Sequence, residues 1–397
     1  MGYRPKSITT ELDNVKYEQY CNSIASRLSQ LVNPDDVDCK RWPWELLQNA
    51  KDTVVKRPAD KRFVEITIKY YINEFGKKEL YFEHNGEQFT SKAIVGLIWK
   101  FSAEKRDEEI TEDGLKRDKQ STGRFGTGFL TTHALSRTIS ISGSMHDCDK
   151  SRNISVDFTL HREGPDDEAY KEGVRKTEEE AKYDVKPLSG DEVLPTRFTY
   201  YLKNDQNIKA AEMGIDNVRH NSAQTMLFCP TVRSITVIDD VNHKTFSISR
   251  IGTEQKVGNI KITSFKETFD GAEAIRKFIS SEIDEYSEEL STYWRTPNRH
   301  MRLQVAVEIT ESMEILPIPF ETSPSVYCSL PLIGFERMTL PFYVNSNDFE
   351  PATERTSLFL NKLRRGTTYD DAQNSDVDIV YNNGVNWAIL ERSVSLY

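Results

Sequence analysis

Alternating apolar and polar stretches predict an N-terminal half built from helices and strands. Apolar side chains recur at helical spacing in residues 15–31 and again in 43–56, where Pro43 suits a first helical turn. Shorter runs that are rich in β-branched and aromatic residues are typical of strands. The predicted helices are 15–31, 43–56, 90–101 and 166–182, and the predicted strands are 61–73, 77–86, 137–143, 154–162 and 196–203.

Polar stretches interrupt this pattern twice. Residues 103–122 are almost wholly polar, so we expect a mobile loop there. The glycine-rich segment GRFGTGF, residues 123–129, follows and leads into a helix. Residues 163–192 are acidic and predict a solvated insertion or, alternatively, a surface for a partner.

The pattern changes near residue 205, and it predicts an α+β chain of two domains. A helix near 207–226 and the Cys229-Pro230 break separate a first domain, residues 1–205, from a second, residues 206–397. From residue 231 the pattern is rich in strands, and one predicted helix, at 272–289, interrupts it. Its predicted strands are VRSITVID, KTFSISRI, NIKITSFK, MRLQVAVEIT, VYCSLPLIG and LPFYVN.

The last residues predict a helix that has no stop signal. Trp387, Leu390, Val394 and Tyr397 fall on one face of a helix over 384–397. No Gly, Asn or Pro follows them, so we expect the natural second domain to continue beyond Tyr397.

Composition narrows the classes of function. Hydrophobic residues make up 37% of the 397 and charged residues 29%, which is typical of globular proteins. A formal charge of −10 argues against a broad nucleic-acid-binding face. The chain has no apolar run near the roughly 20 residues of a membrane helix, and its polar N-terminus does not resemble a signal peptide. Five scattered cysteines lack metal-ligand spacing, so we expect a cytoplasmic protein with reduced thiols.

The predicted helix WPWELLQNAKDTV carries the first candidate chemistry. Glu45, Asn49 and Asp52 are spaced four and three residues apart, so they project from one helical face. The Asn oxygen is a hard ligand for Mg²⁺, and the Glu can polarise a water for attack on a phosphoryl group. The alternative interpretation is a solvated polar face.

The glycine-rich segment, residues 123–129, carries the second candidate chemistry. Gly123, Gly126 and Gly128 allow turns that direct backbone amides at an anion, and a helix N-terminus adds its dipole. The segment lacks the Gly-Lys-Ser/Thr ending of a P-loop and follows a polar loop, unlike a dinucleotide-binding motif. A structural turn is the alternative.

In combination these segments resemble a known superfamily. A helix with E-x3-N-x2-D, a strand ending in His-Asn-Gly, a polar loop and G-x-F-G-x-G-F follow one another as in the GHKL (Bergerat-fold) ATPases. The chain is most similar to the ninety-kilodalton heat-shock chaperone branch and to sacsin-like bacterial ATP-binding proteins, over most of residues 15–203. The resemblance implies a Bergerat-fold sandwich, a mixed sheet covered by helices, followed by a middle- or transducer-like α+β domain.

The resemblance also implies roles for individual residues. Glu45 matches the general base, Asn49 the Mg²⁺ ligand, and Asp52 a residue close to the nucleotide. Gly86 matches the first glycine of the segment beneath the adenine. The phosphate-facing turn corresponds to Gly123, Phe125, Gly126, Thr127, Gly128 and Phe129, and Thr196 to a threonine that holds the adenine through water.

Two positions depart from the family pattern. His84 stands where the family has the Asp that accepts a hydrogen bond from the adenine amino group, and Gln88 replaces the second glycine. A neutral histidine can accept that bond only in one tautomer. Base selectivity is therefore open, and a buried structural histidine is the alternative role.

A further resemblance lies in LPFYVNSNDFEPATERTSLFL, residues 340–360, where the related proteins carry an Arg that reaches the γ-phosphate. Arg355 is the matching residue, and an Arg fork suits the charge on a transferring phosphoryl group. A surface arginine paired with Glu350 or Glu354 is the alternative.

The resemblance implies a slow, Mg²⁺-dependent ATPase that works as a conformational switch and forms a nucleotide-dependent homodimer. Its role would be chaperone-like, or it would regulate a larger defence or DNA-acting complex, with a protein client or complex partner. A nucleotide-sensing module with little or no turnover is the alternative function. We recognise no phospho-acceptor histidine helix and no toprim or cleavage-tyrosine segment, so kinase and topoisomerase functions are disfavoured.

Overall fold

The computed structural model contains one large mixed sheet and six α-helices within the part of the chain that it describes, which makes the fold α+β. The described residues are Val15, Ile24, Leu28, Ser29, 31–99, 128–147, 151–164, 167–183, 185–286, 300–351, 356–358, 360 and 377–397.

The helices are α1 (Asp36–Thr53), α2 (Ser91–Trp99), α3 (Gly128–Thr131), α4 (Asp167–Tyr183), α5 (Asp205–Phe228) and α6 (Val377–Leu396). The strands are β1 (Val64–Ile72), β2 (Lys78–His84), β3 (Thr138–Asp147), β4 (Arg152–His161), β5 (Val185–Pro187), β6 (Thr196–Tyr201), β7 (Val232–Asp239), β8 (Lys244–Val257), β9 (Ile260–Phe269), β10 (Ala272–Tyr286), β11 (His300–Ile309), β12 (Val326–Cys328), β13 (Leu330–Pro331) and β14 (Tyr343–Asn345). Short 3-10 turns lie at Ala59–Lys61 and Thr132–Ala134.

A single sheet runs through both predicted domains. Its order is β13-β12-β14-β11-β10-β9-β8-β7-β1-β2-β6-β3-β4-β5. Most neighbours are antiparallel, but β1 pairs with β7 in parallel, from Val64 beside Val232 to Tyr70 beside Asp239. This pairing joins the strands before residue 205 to those after it. The proposed division near 205 stays a prediction, and it does not interrupt the sheet.

Helix α1 begins earlier than predicted. Asp35 is its N-cap, and Oδ1 of Asp35 accepts a hydrogen bond of 2.8 Å from the backbone N–H of Asp38. Pro43 therefore lies inside the helix and not in its first turn. The N-cap bond and the burial of Trp42 and Trp44, on either side of Pro43, stabilise the helix against the loss of one backbone donor at the proline.

The predicted helix at 272–289 is wrong, because residues 272–286 form strand β10. Strand β10 pairs with β9 through the Asp270-Gly271 turn, whose φ angles of 47° and 83° suit a tight hairpin. On its other side β10 pairs with β11 over ten residues. The Ala, Glu and Lys residues favour a helix locally, but two neighbouring strands satisfy the backbone of an extended chain.

Most other predicted elements within the described residues are confirmed in type, with ends that differ by a few residues. The run VYCSLPLIG forms two short strands, β12 and β13, and the last helix begins at Val377 and not at 384. Most of the predicted helix 15–31 lies outside the described residues.

Of the four residues predicted to share one face of the last helix, Leu390 is buried, whereas Trp387, Val394 and Tyr397 are exposed. Val385 and Ile389 are further buried hydrophobic side chains of α6. The sheet surface that α6 covers selects the buried face.

Two hydrophobic clusters stabilise the sheet. The larger one includes side chains from both predicted domains, for example Phe82 of β2 and Phe278 of β10. The smaller one packs β11, β12 and β14 against α6 through residues such as Leu303, Val344 and Ile389. The larger cluster also contains the buried side of α1, so it positions the polar face of that helix.

Close packing against α5 determines how α1 is rotated. The indole Nε1 of Trp42 donates a 2.9 Å hydrogen bond to the carbonyl oxygen of Ala210. Nε1 of Trp44 donates a 2.7 Å bond to Oδ1 of Asn217. Gly214 leaves room for the ring of Trp42, because an added Cβ would collide with that indole. Helix α1 is therefore held in one orientation.

We expect Gly214→Ala to destabilise the protein by about 1–2 kcal/mol, because the clash with Trp42 outweighs the better helix propensity of alanine. Urea unfolding measures the change. Gln206→Ala, at an exposed position of the same helix, is the matched control and should change stability by less than about 0.5 kcal/mol. An unchanged or raised stability of Gly214→Ala would show that α1 and α5 are less tightly packed.

Candidate functional site

Helix α1 presents its predicted polar face away from the core. Leu46, Leu47 and Ala50 are buried, as expected for the side that packs on the protein. Asn49 is exposed, and the side chain of Glu45 is 13% exposed. Asp52 is half-buried, with its Oδ1 3.5 Å from Nζ of Lys51.

An arginine that the motif does not include lies beside Glu45. Nη2 of Arg41 donates a 3.0 Å hydrogen bond to Oε1 of Glu45, and the Arg41 side chain is 5% exposed. Asp38 lies on the other side, with Oδ1 3.9 Å from Nη1 of Arg41. The spacing of four residues between Arg41 and Glu45 is the sequence signal that predicts this pair.

The end of the glycine-rich segment meets the other oxygen of Glu45. A Cβ added to Gly128, the first residue of α3, would collide with Oε2 of Glu45. Only glycine therefore lets the backbone of α3 approach this carboxylate. The structure thus brings together one residue from each of the two predicted motifs.

A buried pair holds the residues that follow Gly128. Nδ1 of His133 lies 3.1 Å from the carbonyl oxygen of Leu130, and Nη1 of Arg162 lies 3.0 Å from Nε2 of His133. Because a guanidinium only donates, Nε2 must accept, and Nδ1 carries the proton. Nη2 of Arg162 also donates a 2.7 Å bond to the carbonyl oxygen of Leu97 in α2. Sequence reasoning missed both residues, since neither belongs to a motif.

The second half of the site lies where β2 ends. His84 is 4% exposed, and its Nδ1 accepts a 3.1 Å hydrogen bond from the backbone N–H of Gly86. A Cβ on Gly86 would collide with Oγ1 of Thr53, which ends α1, and would lie 2.8 Å from His84 Nδ1. Oγ1 of Thr53 also accepts a 3.1 Å bond from the N–H of Glu87.

Burial keeps both histidines neutral. It lowers the pKa of His84 to about 4, with a smaller contribution from the charge of Arg57. Burial also lowers the pKa of His133 well below its usual range, and the charge of Arg162 adds to this effect. Neither imidazole carries a charge near pH 7.

The other predicted binding residues surround the end of β2. Thr196 is buried and stands opposite His84 in the pairing of β6 with β2. The ring of Phe129 lies 5.7 Å from that of Phe198 in the same strand. Gln88 contributes a buried Oε1 that has no hydrogen-bond partner in the described structure. The structure therefore groups Thr196 with His84 and Gly86, and Phe129 with Gly128.

The strand-rich second region also reaches α1. Leu330, Pro331 and Ile333 line a cleft of about 20 Å³ together with Glu45 and Gln48. A Cβ added to Gly334 would lie 3.1 Å from the carbonyl oxygen of Thr356 and 3.2 Å from Cγ1 of Val37. The chain directly after Arg355 thus passes close to the first turn of α1.

Several predicted residues lie outside the described part of the chain. They are Gly123, Phe125, Gly126, Thr127, Arg355 and the whole of the predicted loop 103–122. Their roles stay predictions.

Comparison with known proteins yields no family. No protein-family model matches the chain, and no curated protein matches it either. Among the helices in the described residues, none is long and apolar enough to cross a membrane. The same residues contain no group of three or more His, Cys, Asp or Glu side chains arranged to hold a metal ion.

A double-mutant cycle tests the contact between α3 and Glu45. We expect Gly128→Ala to destabilise the protein by about 1–3 kcal/mol, because the new methyl group displaces the carboxylate. In a Glu45→Ala background the same change should cost at least about 1 kcal/mol less, since the obstacle is gone. Urea unfolding of the four proteins gives the values. If Gly128→Ala lowers the free energy of unfolding equally in both backgrounds, Gly128 and Glu45 do not interact.

The buried histidines predict a loss of stability in acid. Unfolded histidine binds a proton below about pH 6.5, whereas folded His84 does so only near pH 4, so stability falls as pH drops through this interval. The shift corresponds to roughly 3 kcal/mol for His84. His84→Asn should flatten the dependence of unfolding free energy between pH 7 and 4.5. His243→Asn, at an exposed site, should leave the dependence unchanged, and an equal slope in all three proteins would contradict the assignment.

Proposed function

We propose that this chain is a Mg²⁺-dependent nucleoside triphosphatase of the GHKL type, for which ATP is the substrate expected from the sequence. The observation that carries the proposal is how two separate glycine segments meet one helix. Gly128 abuts Glu45 and Gly86 abuts Thr53, and eight residues of α-helix separate these contacts by about 12 Å. A nucleotide laid along α1 would place its base beside Gly86 and its terminal phosphate beside Glu45.

Glu45 is the proposed general base. Its carboxylate is close to the surface of the site and faces the start of α3, where the glycine-rich turn ends. A water between this carboxylate and a terminal phosphate would lose a proton to the oxygen that Arg41 does not bind. A positioned carboxylate contributes typically about 10²–10⁴-fold to such a reaction.

Asn49 is the proposed Mg²⁺ ligand. Its carboxamide is exposed one helical turn beyond Glu45 and offers a hard oxygen. A single protein oxygen fits this ion, because Mg²⁺ at nucleotide sites is held largely by phosphates and water. The ion would neutralise charge on the phosphates. Asp52 and Thr196 would bind the base through water.

The second region would complete the site. The cleft that Leu330 shares with Glu45 supports a contribution of the second region to the site. The sequence resemblance proposes Arg355 as the residue of that region that would reach the terminal phosphate. We further propose that nucleotide binding promotes a homodimer in the cytoplasm and that the cycle acts on a protein client or complex partner. Chaperone-like remodelling and control of a larger complex both fit.

A nucleotide sensor without turnover is the second candidate. It is favoured by one contact, the hydrogen bond from Arg41 that occupies one oxygen of Glu45. If Arg41 holds Glu45 in this way with nucleotide bound, proton transfer from water is hindered, and binding alone would carry the signal.

Measuring phosphate release from Mg·ATP distinguishes a nucleoside triphosphatase from a nucleotide sensor without turnover. We expect Glu45→Gln to reduce turnover at least about 100-fold while nucleotide affinity, measured by calorimetry, changes less than about threefold, because the base acts only in the chemical step. Asn49→Ala should weaken Mg²⁺-dependent binding. Glu74→Gln, in an exposed turn, is the matched control and should retain full turnover.

Equal, near-zero phosphate release from the unmodified chain and Glu45→Gln, with tight nucleotide binding, would establish the sensor. No binding of any purine nucleotide at millimolar concentration would overturn both candidates.

A further inference from the structure

A second cavity lies between helix α5 and the hairpin of strands β7 and β8. Its volume is about 290 Å³, which is at the lower end of the range for small-molecule sites. Among the described residues that line it, none belongs to α1, β2 or α3. A ligand of this cavity would therefore share no residue with the candidate nucleotide site.

Asp239 is a buried carboxylate in the lining of this cavity, and only neutral groups bind it. The residue is 6% exposed. Oδ1 accepts a 2.9 Å hydrogen bond from the backbone N–H of Asn242, and Oδ2 accepts a 2.9 Å bond from Nδ2 of the same residue. These bonds orient the carboxylate without neutralising it, and it forms no ion pair within the part of the chain that the structure describes. Because burial of an uncompensated charge is costly, the position indicates a cation from outside the chain.

A second carboxylate, Glu212, lies on the α5 wall of the cavity and also has no ion-pair partner among the described residues. Tyr70 stands beside Asp239 in the parallel pairing of β1 with β7. Burial raises the pKa of Tyr70, and the charges of Glu212 and Asp239 raise it further, so both carboxylates lie close to its hydroxyl. That hydroxyl is buried without a hydrogen-bond partner in the described structure, because Glu212 approaches it but is not aligned for a bond. The three side chains form one acidic cluster.

The two cations that line the cavity do not compensate this cluster. Nη2 of Arg219 is paired with Oδ1 of Asp216 at 2.9 Å, and Cζ of Arg219 lies 4.9 Å from the ring centroid of Phe269. Lys244 stands opposite Asp239 in the pairing of β7 with β8. It is exposed, however, and no ion pair joins it to a carboxylate among the described residues. Two negative charges in the cavity are therefore left without a counter-charge from the described part of the protein.

We propose that the cavity binds a short aliphatic diamine, with one ammonium group on Asp239 and the other on Glu212. Two uncompensated carboxylates match two positive charges, whereas a monoamine would leave one carboxylate without a cation. Both amino groups of such a ligand are protonated near pH 7, as the lysine side chain is. The methylene groups between them pack against Ile215, Val237 and Phe246, which form the apolar part of the lining.

A metal ion fits this lining less well than a diamine does. A divalent ion such as Mg²⁺ or Ca²⁺ takes about six oxygen ligands or more, but both oxygens of Asp239 already accept hydrogen bonds from Asn242. The described residues contain no group of three or more His, Cys, Asp or Glu side chains arranged to hold a metal ion. The apolar part of the lining also favours a ligand with a hydrocarbon portion over a hydrated ion.

Calorimetry of the full chain with putrescine, a four-carbon diamine, tests the proposal. We expect one molecule to bind with a Kd below about 1 mM. Butylamine has the same hydrocarbon chain and a single ammonium group. It should bind at least about tenfold more weakly, because one charge-assisted contact with a carboxylate is lost. All titrations are made at the same ionic strength, so that general screening of charge is equal.

Two variants assign the binding to residues. Glu212→Gln and Asp239→Asn should each weaken putrescine at least about tenfold, and in Glu212→Gln putrescine should lose its advantage over butylamine. Glu212 is exposed, so its variant should retain the fold even if Asp239→Asn unfolds, and thermal unfolding checks both. Asp205→Asn, at an exposed position in the first turn of α5 and outside the cavity, removes the same charge and should leave the affinity unchanged.

Lys244→Ala distinguishes a bound diamine from a cation within the chain. With the competing ammonium group removed, putrescine should bind at least as tightly as it does to the unmodified protein. Binding to Lys244→Ala but not to the unmodified protein would show that Lys244 neutralises Asp239, and the proposal would be wrong. No binding of putrescine by the folded proteins at about 10 mM, equal affinities of both amines for the unmodified protein, or an unchanged affinity in Glu212→Gln would also overturn it.

Discussion

The packing of α1 against α5 is the constraint on which the candidate site depends. Trp42 lies where Gly214 leaves space, and its indole is anchored on the carbonyl of Ala210. A helix held at this contact cannot rotate, so the directions of Glu45 and Asn49, three and seven residues after Trp42, are determined with it. Burial of the large Trp42 ring stabilises the contact between the two helices. The absence of a side chain at Gly214 determines where on α5 that ring can pack.

Hydrogen bonds also fix the orientation of the buried polar groups around the site. Each buried histidine has its tautomer set by a neighbour that can play only one role, an N–H of Gly86 for His84 and a guanidinium for His133. A neutral, oriented imidazole is compatible with burial, whereas a charged one is not. Arg162 extends this order to the end of α2 through the carbonyl of Leu97. The result is a rigid frame at both ends of the candidate nucleotide cleft.

The sheet shows where local preference yields to long-range pairing. Residues 272–286 combine helix-favouring side chains with a hairpin turn at Asp270-Gly271, and the turn prevails because β9 and β11 lie on both sides. The parallel pairing of β1 with β7 likewise joins segments more than 160 residues apart. Periodicity within a short window carries no information about such partners.

Most of the secondary structure of the described residues, and the grouping of Glu45, Asn49 and Asp52 on one helical face, could be predicted from the amino-acid sequence, because helical and strand periods are local properties. It also identified His84 and Gln88 as departures from a pattern. Folding was needed to show that Gly128 meets Glu45, that Arg41 is buried beside it, and that Nδ1 of His84 accepts a hydrogen bond from Gly86. Those facts depend on which atoms from distant segments face one another, and hydrogen-bond direction and close contact exist only after the chain has folded.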